Sequence, residues 1–325
     1  MKMRYVFAGA SVVALLVGAA DAQVTTMRLS HNAAAGNPKD LASERFADLV
    51  QEKTEGRINV QAGGAAVFGD DVESLTQMRL GTLDLSANSQ GPTSTIVPEF
   101  GVLGLPFLFS ELETAWEVLD GEVGETLDQA AQEHGLKVLA FWDNGIRHVS
   151  NNVRPIHEPA DLEGIRLRTP PDPVTIDIFE ALGANPAPLA FSELYIALQQ
   201  GVMDGQENPL MNIWSSNLHE VQRYISLTAH KYESTPLLIS KIVWDGLSEE
   251  DQEAMLEAAR EAQAYNRELV AASDDELRGE LEDYGIEFNE VDHQPFIEQT
   301  QVVWEEWEQE FPDLVAQVRA AAGHD

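Results

Sequence analysis

The chain contains no cysteine among its 325 residues. That excludes disulfide bonds, thiolate metal sites, a cysteine nucleophile and a lipid-bearing N-terminal cysteine. Positive charge is scarce too: 20 lysines and arginines face 55 aspartates and glutamates, a formal net charge of −35. Such a surface repels nucleic-acid phosphates and anionic lipid, so neither is an expected partner. The acidic residues are spread along the chain rather than gathered into a tail. This suits a solvated surface at high salt, where the Debye length falls to about 3 Å at 1 M. Hydrolase and dehydrogenase signatures are missing: there is no Gly-x-Ser-x-Gly elbow, Gly-x-Gly-x-x-Gly turn, phosphate loop or His-Glu-x-x-His. No ligand spacing points to a metal, and no cofactor is expected. Carboxylates are numerous enough to guarantee close pairs, but no spacing singles one out for the glycoside cleavage of a secreted hydrolase.

Long apolar runs are confined to the N-terminus. Residues 1–22 read as a secretory signal, with Lys2 and Arg4, an apolar run from Tyr5 to Ala20, and Ala20-Asp-Ala22 as a small-x-small cleavage site. A leader without an acylation site predicts a freely diffusing, monomeric periplasmic protein. No later run approaches the roughly 20 residues that cross a bilayer, so membrane insertion is not expected. What remains exceeds one ordinary domain and suits two α/β lobes.

The most informative stretch runs from Asp161 to Asn217. In Leu162-Glu-Gly-Ile-Arg-Leu-Arg-Thr-Pro170, Ile165 and Leu167 alternate with Arg166 and Arg168, which predicts a short strand whose arginines share one face. Pro170 and Pro171 end the ladder, and a helix is expected from about Pro173 to Leu182. A second run, Pro186 to Leu189, leads to Phe191, to Ser192 as an N-cap and to a helix ending near Gln200. Gly201 to Pro209 reads as a glycine-punctuated loop too polar for core. Alternating strands and helices imply an α/β layer, with ligands beyond the carboxyl ends of the strands. Arg168 and Asn208 are therefore candidates for a cleft.

The remainder repeats that logic. Strands are expected at Thr26–Ser30, 57–61 and 83–87, each followed by small polar residues: Asn32 after the first, Asp71 capping the helix after the second, Asn88 and Gln90 after the third. Leu136 to Trp142 reads as a strand, and Asp143-Asn-Gly-Ile-Arg147-His as a turn into a crossing between lobes. Residues 223–228 and 237–243 read as two further strands, the latter a return crossing. Ser248-Glu-Glu-Asp251 resembles a capping box, opening a helix to about Tyr284, on the order of 55 Å at 1.5 Å per residue. That is long enough to brace both lobes. The boundaries expected are 23–145 with about 234–275 for lobe one, and 146–233 with about 276–325 for lobe two.

Arg168 and Arg147 are the strongest binding candidates, since a guanidinium matches a carboxylate with two parallel bonds and stays charged when desolvated. In so acidic a chain, either arginine is equally suited to a structural salt bridge. Asn208 offers donors and an acceptor for the same carboxylate, or an Asx turn before Pro209. Phe191, Trp142 and Trp214 suit a pocket wall or the core. His31 and His148 lie near the expected cleft, where a lone histidine commonly serves as a hydrogen-bonding partner.

The run Ala190-Phe-Ser-Glu-Leu-Tyr-Ile-Ala-Leu-Gln-Gln-Gly-Val-Met-Asp-Gly-Gln-Glu-Asn-Pro209 resembles the solute-binding proteins of tripartite ATP-independent periplasmic (TRAP) transporters, the DctP family. So do the Leu162–Pro170 segment, Phe68-Gly-Asp-Asp71, Gly81-Thr-Leu-Asp84 and Asn144-Gly-Ile-Arg-His148. The resemblance covers nearly the whole chain beyond the leader. It implies two α/β lobes joined by crossing strands and a long helix, closing on a small organic acid that is passed to a membrane permease. Position by position, it makes Arg168 the carboxylate clamp, Asn208 its support, Arg147 a second arginine, Phe191 a pocket wall, and Asn32 and Asp71 polar positions of the first lobe. Ser89 and Pro92 stand where sialate-binding relatives carry a glutamate and an arginine, so sialic acid is not the expected ligand. No obvious cation remains in the first lobe for a second carboxylate. A uronate or aldonate is expected, with a dicarboxylate or 2-oxo acid as the alternative.

Overall fold

The computed structural model describes residues 24–324; the expected leader at 1–22 lies outside them. The strands are β1 (Thr25–Ser30), β2 (Ile58–Gly63), β3 (Leu85–Ala87), β4 (Leu136–Asn151), β5 (Arg166–Thr169), β6 (Asn185–Pro188), β7 (Gly205–Asn208), β8 (Tyr224–Ser240) and β9 (Glu287–Glu290). They share one sheet, ordered β2-β1-β3-β8-β4-β7-β5-β6, with β9 paired to β8. The helices are α1 (Pro38–Lys53), α2 (Asp71–Arg79), α3 (Gln90–Ser94), α4 (Leu112–Leu119), α5 (Glu122–Glu133), α6 (Pro173–Ala181), α7 (Phe191–Gln199), α8 (Leu210–Ser215), α9 (Lys241–Trp244), α10 (Glu249–Ala271), α11 (Asp274–Tyr284), α12 (Gln294–Gln299), α13 (Gln301–Glu310) and α14 (Pro312–Ala322).

Two lobes follow from the pairing. β1 runs parallel to β2 and β3 in the first, and β5 runs parallel to β6 and β7 in the second. Between them lie β4 and β8, paired antiparallel from Leu136 with Ser240 to Asn151 with Tyr224. At about 3.3 Å per residue, strands of this length reach on the order of 50 Å and belong to both lobes. They form the hinge. The turn expected at Asp143–His148 is instead continuous strand. Register shifts at 138/140, 143/145 and 147/149 absorb the irregular sequence, with Gly145 at φ 106°. A bulge adds a residue without ending a ladder. Likewise, the two strands expected within 223–243 are one, β8.

Three apolar clusters hold the layers together. Phe46, Leu49, Trp142 and Met255 join α1 and α10 to the sheet in the first lobe. Leu194, Leu210, Ile213, Ile225 and Leu281 do the same in the second. Each such buried side chain contributes roughly 1.5–3 kcal/mol relative to exposure. The third cluster joins the lobes through the terminal helices, with α13 packed on α6 and α14 on α4 and α5. Trp307 there occupies the space a Gly101 side chain would need: a Cβ would stand 2.2 Å from its ring.

The single long helix expected from Ser248 is two. Ser248 Oγ does cap it by accepting from the Asp251 N–H, but α10 ends at Ala271, and Ser273 Oγ donates back to the Val270 carbonyl. A hydroxyl bonded to its own helix in this way competes with continuation. α10 then packs on α1 and β4, whereas α11 packs on α8.

Candidate functional site

The segments after β1, β2, β3, β5, β6 and β7 meet in a cleft of about 100 Å³ lined by residues from both lobes. One water needs roughly 10–15 Å³, so the space suits a small molecule and not a peptide. The first lobe supplies Asn32, Ala33, Asp70, Asp71, Val72 and Ser89. From β4 and β8 come Asn144, Arg147 and Glu233. The second lobe adds Arg168, Pro170, Pro171, Ala190, Phe191, Asn208 and Asn212.

Arg168 lies on β5, on the same face as Arg166, but the two have different fates. Arg166 is exposed and paired with Asp204 at 2.5 Å. Arg168 is only 2% exposed. Its Nε and Nη2 both donate to the Leu189 carbonyl, at 2.9 and 2.7 Å, and its guanidinium faces the Phe191 ring at 5.8 Å. Among the described residues it has no carboxylate within salt-bridge distance. Burial draws its pKa down to about 10, with Arg147 acting the same way against the pull of Glu207, Glu233 and Asp71. It remains a cation at neutral pH, desolvated and with no carboxylate in direct contact among the described residues.

Arg147 is the opposite case. Its guanidinium contacts the Glu207 and Glu233 carboxylates and donates to the Glu207 carbonyl at 2.7 Å. These bonds engage four of its five N–H groups. Burial works against its charge, but Glu207 and Glu233 outweigh it and raise the pKa. Burial would raise Glu207 as well, yet Arg147 and His230 hold that carboxyl well below the usual range. Arg147 thus carries its own counter-ions and reaches the cleft with one N–H to spare.

β7 explains how so polar a segment is buried. Gly205–Asn208 was expected to be loop, but all four residues are buried strand. Gln206 donates to Ser150 Oγ at 2.8 Å, Asn208 donates to Gln206 Oε1, and Asn212 Nδ2 donates to Asn208 Oδ1 at 3.2 Å. Buried amides are tolerated when bonded in this way.

In the first lobe, Asn32 Nδ2 donates to Asp71 Oδ2 at 2.6 Å. Contrary to expectation, a cation lies behind them: Lys39 Nζ donates to Asn32 Oδ1 at 3.3 Å and to Ser89 Oγ at 3.2 Å. Burial raises the Asp71 pKa to about 6, although Lys39 lowers it; Asp70 and Glu233 add to the rise. That value lies above the roughly 3.9 of an unfolded chain, so Asp71 stabilises the fold fully below about pH 4, and this is lost as pH rises through 6. Asp71→Asn removes the buried charge at nearly constant shape. The ligand-free variant is expected to exceed the parent in stability by on the order of 1–2 kcal/mol at pH 7.5, and to match it below pH 4. Equal melting temperatures at pH 7.5 would contradict this.

Arg168, Arg147, Asn208, Phe191, Asn32 and Asp71 thus meet in one cleft. Three other candidates do not line it. Asn88 is turned inward, donating to the Asp71 carbonyl at 3.0 Å and to Ser86 Oγ at 3.2 Å. Gln90 donates to the Phe100 carbonyl at 2.9 Å. Trp214 stacks on His219 at 4.6 Å and packs in the second-lobe cluster. Trp142 is core, its ring edge-on to Phe46. Burial lowers the His31 and His148 pKa values to about 3, so both are neutral. Ser192 is not an N-cap, a place taken by Ala190; its Oγ reaches across to Asp70 Oδ2 at 2.5 Å. Asn37 also bridges the lobes, donating to Asn212 Oδ1 at 2.9 Å and Ser215 Oγ at 3.1 Å. The sequence reading missed Lys39, Asn144, Asn212 and Glu233. Asn144 was findable, since it opens the Asn144–His148 run already singled out.

Comparison with known proteins agrees with this geometry. Residues 29–310 match the DctP family model, bacterial extracellular solute-binding protein, family 7. The chain is 35% identical over 272 residues to the 2,3-diketo-L-gulonate-binding periplasmic protein YiaO of Escherichia coli, covering 83% of each. It is 50% identical over 282 residues to the uncharacterized protein y4mM of Sinorhizobium fredii, 86% of this chain but about half (52%) of that longer one. A crystal structure of a TRAP periplasmic solute binding protein from Roseobacter denitrificans, with bound L-galactonate, superposes with a TM-score of 0.86 at 37% identity, covering 91% of this chain and 99% of that one. The chain therefore belongs to the DctP family, the solute-binding proteins of TRAP transporters, which capture ligands and are not enzymes.

Proposed function

We propose that the protein binds a six-carbon sugar acid, an aldonate or uronate, in the periplasm and delivers it to the permease of a TRAP transporter. The carrying observation is Arg168, a buried cation facing the cleft with no carboxylate partner among the described residues. Arg168 is the one cation lining the cleft without an ion-pair partner among the described residues, and it calls for one ligand carboxylate, held by two parallel bonds. Beside apolar residues such as Val72, Pro170 and Phe191, the wall presents amides and carboxylates: Asn32, Asp71, Asn144, Asn208, Asn212 and Glu233. These suit hydroxyl groups, which donate and accept together. Arg147 and Asn208 add donors to the carboxylate. Contacts from both lobes favour the closed arrangement over an open one, as a ligand must to shift a hinge equilibrium. The relative that binds 2,3-diketo-L-gulonate and the structure with L-galactonate support this class.

Titration calorimetry with L-galactonate, D-glucuronate and succinate tests the assignment. At least one sugar acid is expected to bind with Kd on the order of 1 μM or tighter, about −8 kcal/mol, and succinate at least tenfold more weakly. Tighter binding of succinate than of either sugar acid would overturn it.

A further inference from the structure

Lys39 breaks two local rules. It sits in the first turn of α1, where a cation opposes the helix dipole, and it is only 3% exposed. Buried ammonium groups are unfavourable unless their donors are met. A residue that violates local preference without gain to the fold marks a position held for function.

Its surroundings indicate which function. Nζ bonds Asn32 Oδ1 at 3.3 Å and Ser89 Oγ at 3.2 Å, and both residues line the cleft. Asn32 Nδ2 bonds Asp71 Oδ2 at 2.6 Å. An ammonium offers only donors and a carboxylate only acceptors, so the Asn32 amide is held in one orientation from both ends. Asn32 retains a second N–H, and Asp71 retains further lone pairs. Together they form a donor beside an acceptor, the match for a hydroxyl group. A carboxylate, which only accepts, would be set against the Asp71 charge.

We propose that Lys39 is a positioning residue for recognition, locking Asn32 and Asp71 into a donor–acceptor pair that takes ligand hydroxyl groups and refuses a second carboxylate. This rests on the sugar-acid function above and assigns selectivity to a residue behind the cleft wall.

The test is a double-mutant cycle read by titration calorimetry with whichever of L-galactonate or D-glucuronate the wild-type protein binds. Lys39→Met and Asp71→Asn are each expected to weaken binding at least tenfold. The double variant should be no more than about threefold weaker than the weaker single, since Lys39 acts through Asp71. Losses that multiply instead would make Lys39 a mere prop for α1 and overturn the proposal, as would unchanged binding by Lys39→Met. Should Lys39→Met fail to fold, Asn32→Leu breaks the same relay at its middle; wild-type affinity in that variant is equally fatal. Wild-type protein that binds neither acid overturns the proposed function, and this inference with it. Binding by wild type with no effect of either variant overturns this inference alone.

Discussion

Replacing Arg168 with methionine is expected to raise the Kd for the sugar acid roughly 150- to 5,000-fold. Removing one partner of a buried ion pair costs about 3–5 kcal/mol, and each 1.36 kcal/mol is tenfold. The ligand-free fold should hardly notice. Arg168 makes its two bonds to a single carbonyl and has no counter-ion among the described residues, so methionine relieves a desolvated charge while filling similar space. Affinity and stability are thus expected to separate: calorimetry should show the loss, and thermal unfolding without ligand should show a melting temperature equal to or above the parent's. Arg168→Lys should fall between, because a point charge cannot make the two-pronged contact. Binding by Arg168→Met within tenfold of the parent would remove the clamp from the mechanism.

The largest stability effect is expected at Asp172→Ala. Lys231, on the hinge strand β8, is fully buried, and its Nζ contacts Asp172 Oδ2 and Thr175 Oγ1, the latter at 2.9 Å. Cutting the carboxylate away leaves the ammonium uncompensated, a cost of about 3–5 kcal/mol. In a chain this size that is on the order of 10 °C in Tm. The double variant Asp172→Ala/Lys231→Met should recover most of the loss, since apolar replacement of a whole buried pair is commonly neutral. A double variant as unstable as the single would show that Asp172 contributes by some means other than neutralising Lys231. Asp172 also lies against the first lobe, where a Cβ on Gly91 would stand 2.6 Å from its Oδ2.

The alternation of short strands and helices was legible because hydrophobic period and glycine or proline punctuation are local signals. So was the position of Arg168 at a strand end, and with it the cleft. What failed depended on partners distant in sequence. β7 reads as a loop because Gln206, Glu207 and Asn208 look too polar for core; only the bonds to Ser150, Arg147 and Asn212 make burial tolerable. Lys39 carries no local signal of burial, which comes from Asn32 and Ser89 around it. Asn88 and Gln90 were rightly placed after β3, but side-chain direction in a short polar turn is set by neighbours, here Asp71 and Phe100. The break at Ala272 was obscured by helix-favouring residues on both sides.

The sheet order also bears on how the chain reaches its folded state. The centre of the sheet is β8, residues 224–240, inserted between β3 and β4, which precede it by over a hundred positions in the case of β3. A polypeptide emerging from its N-terminus therefore cannot complete either half until nearly three-quarters of it is available. Pairing across such separations is entropically late and slow. That delay keeps the earlier segments loose and defers closure of the sheet until β8 has been made.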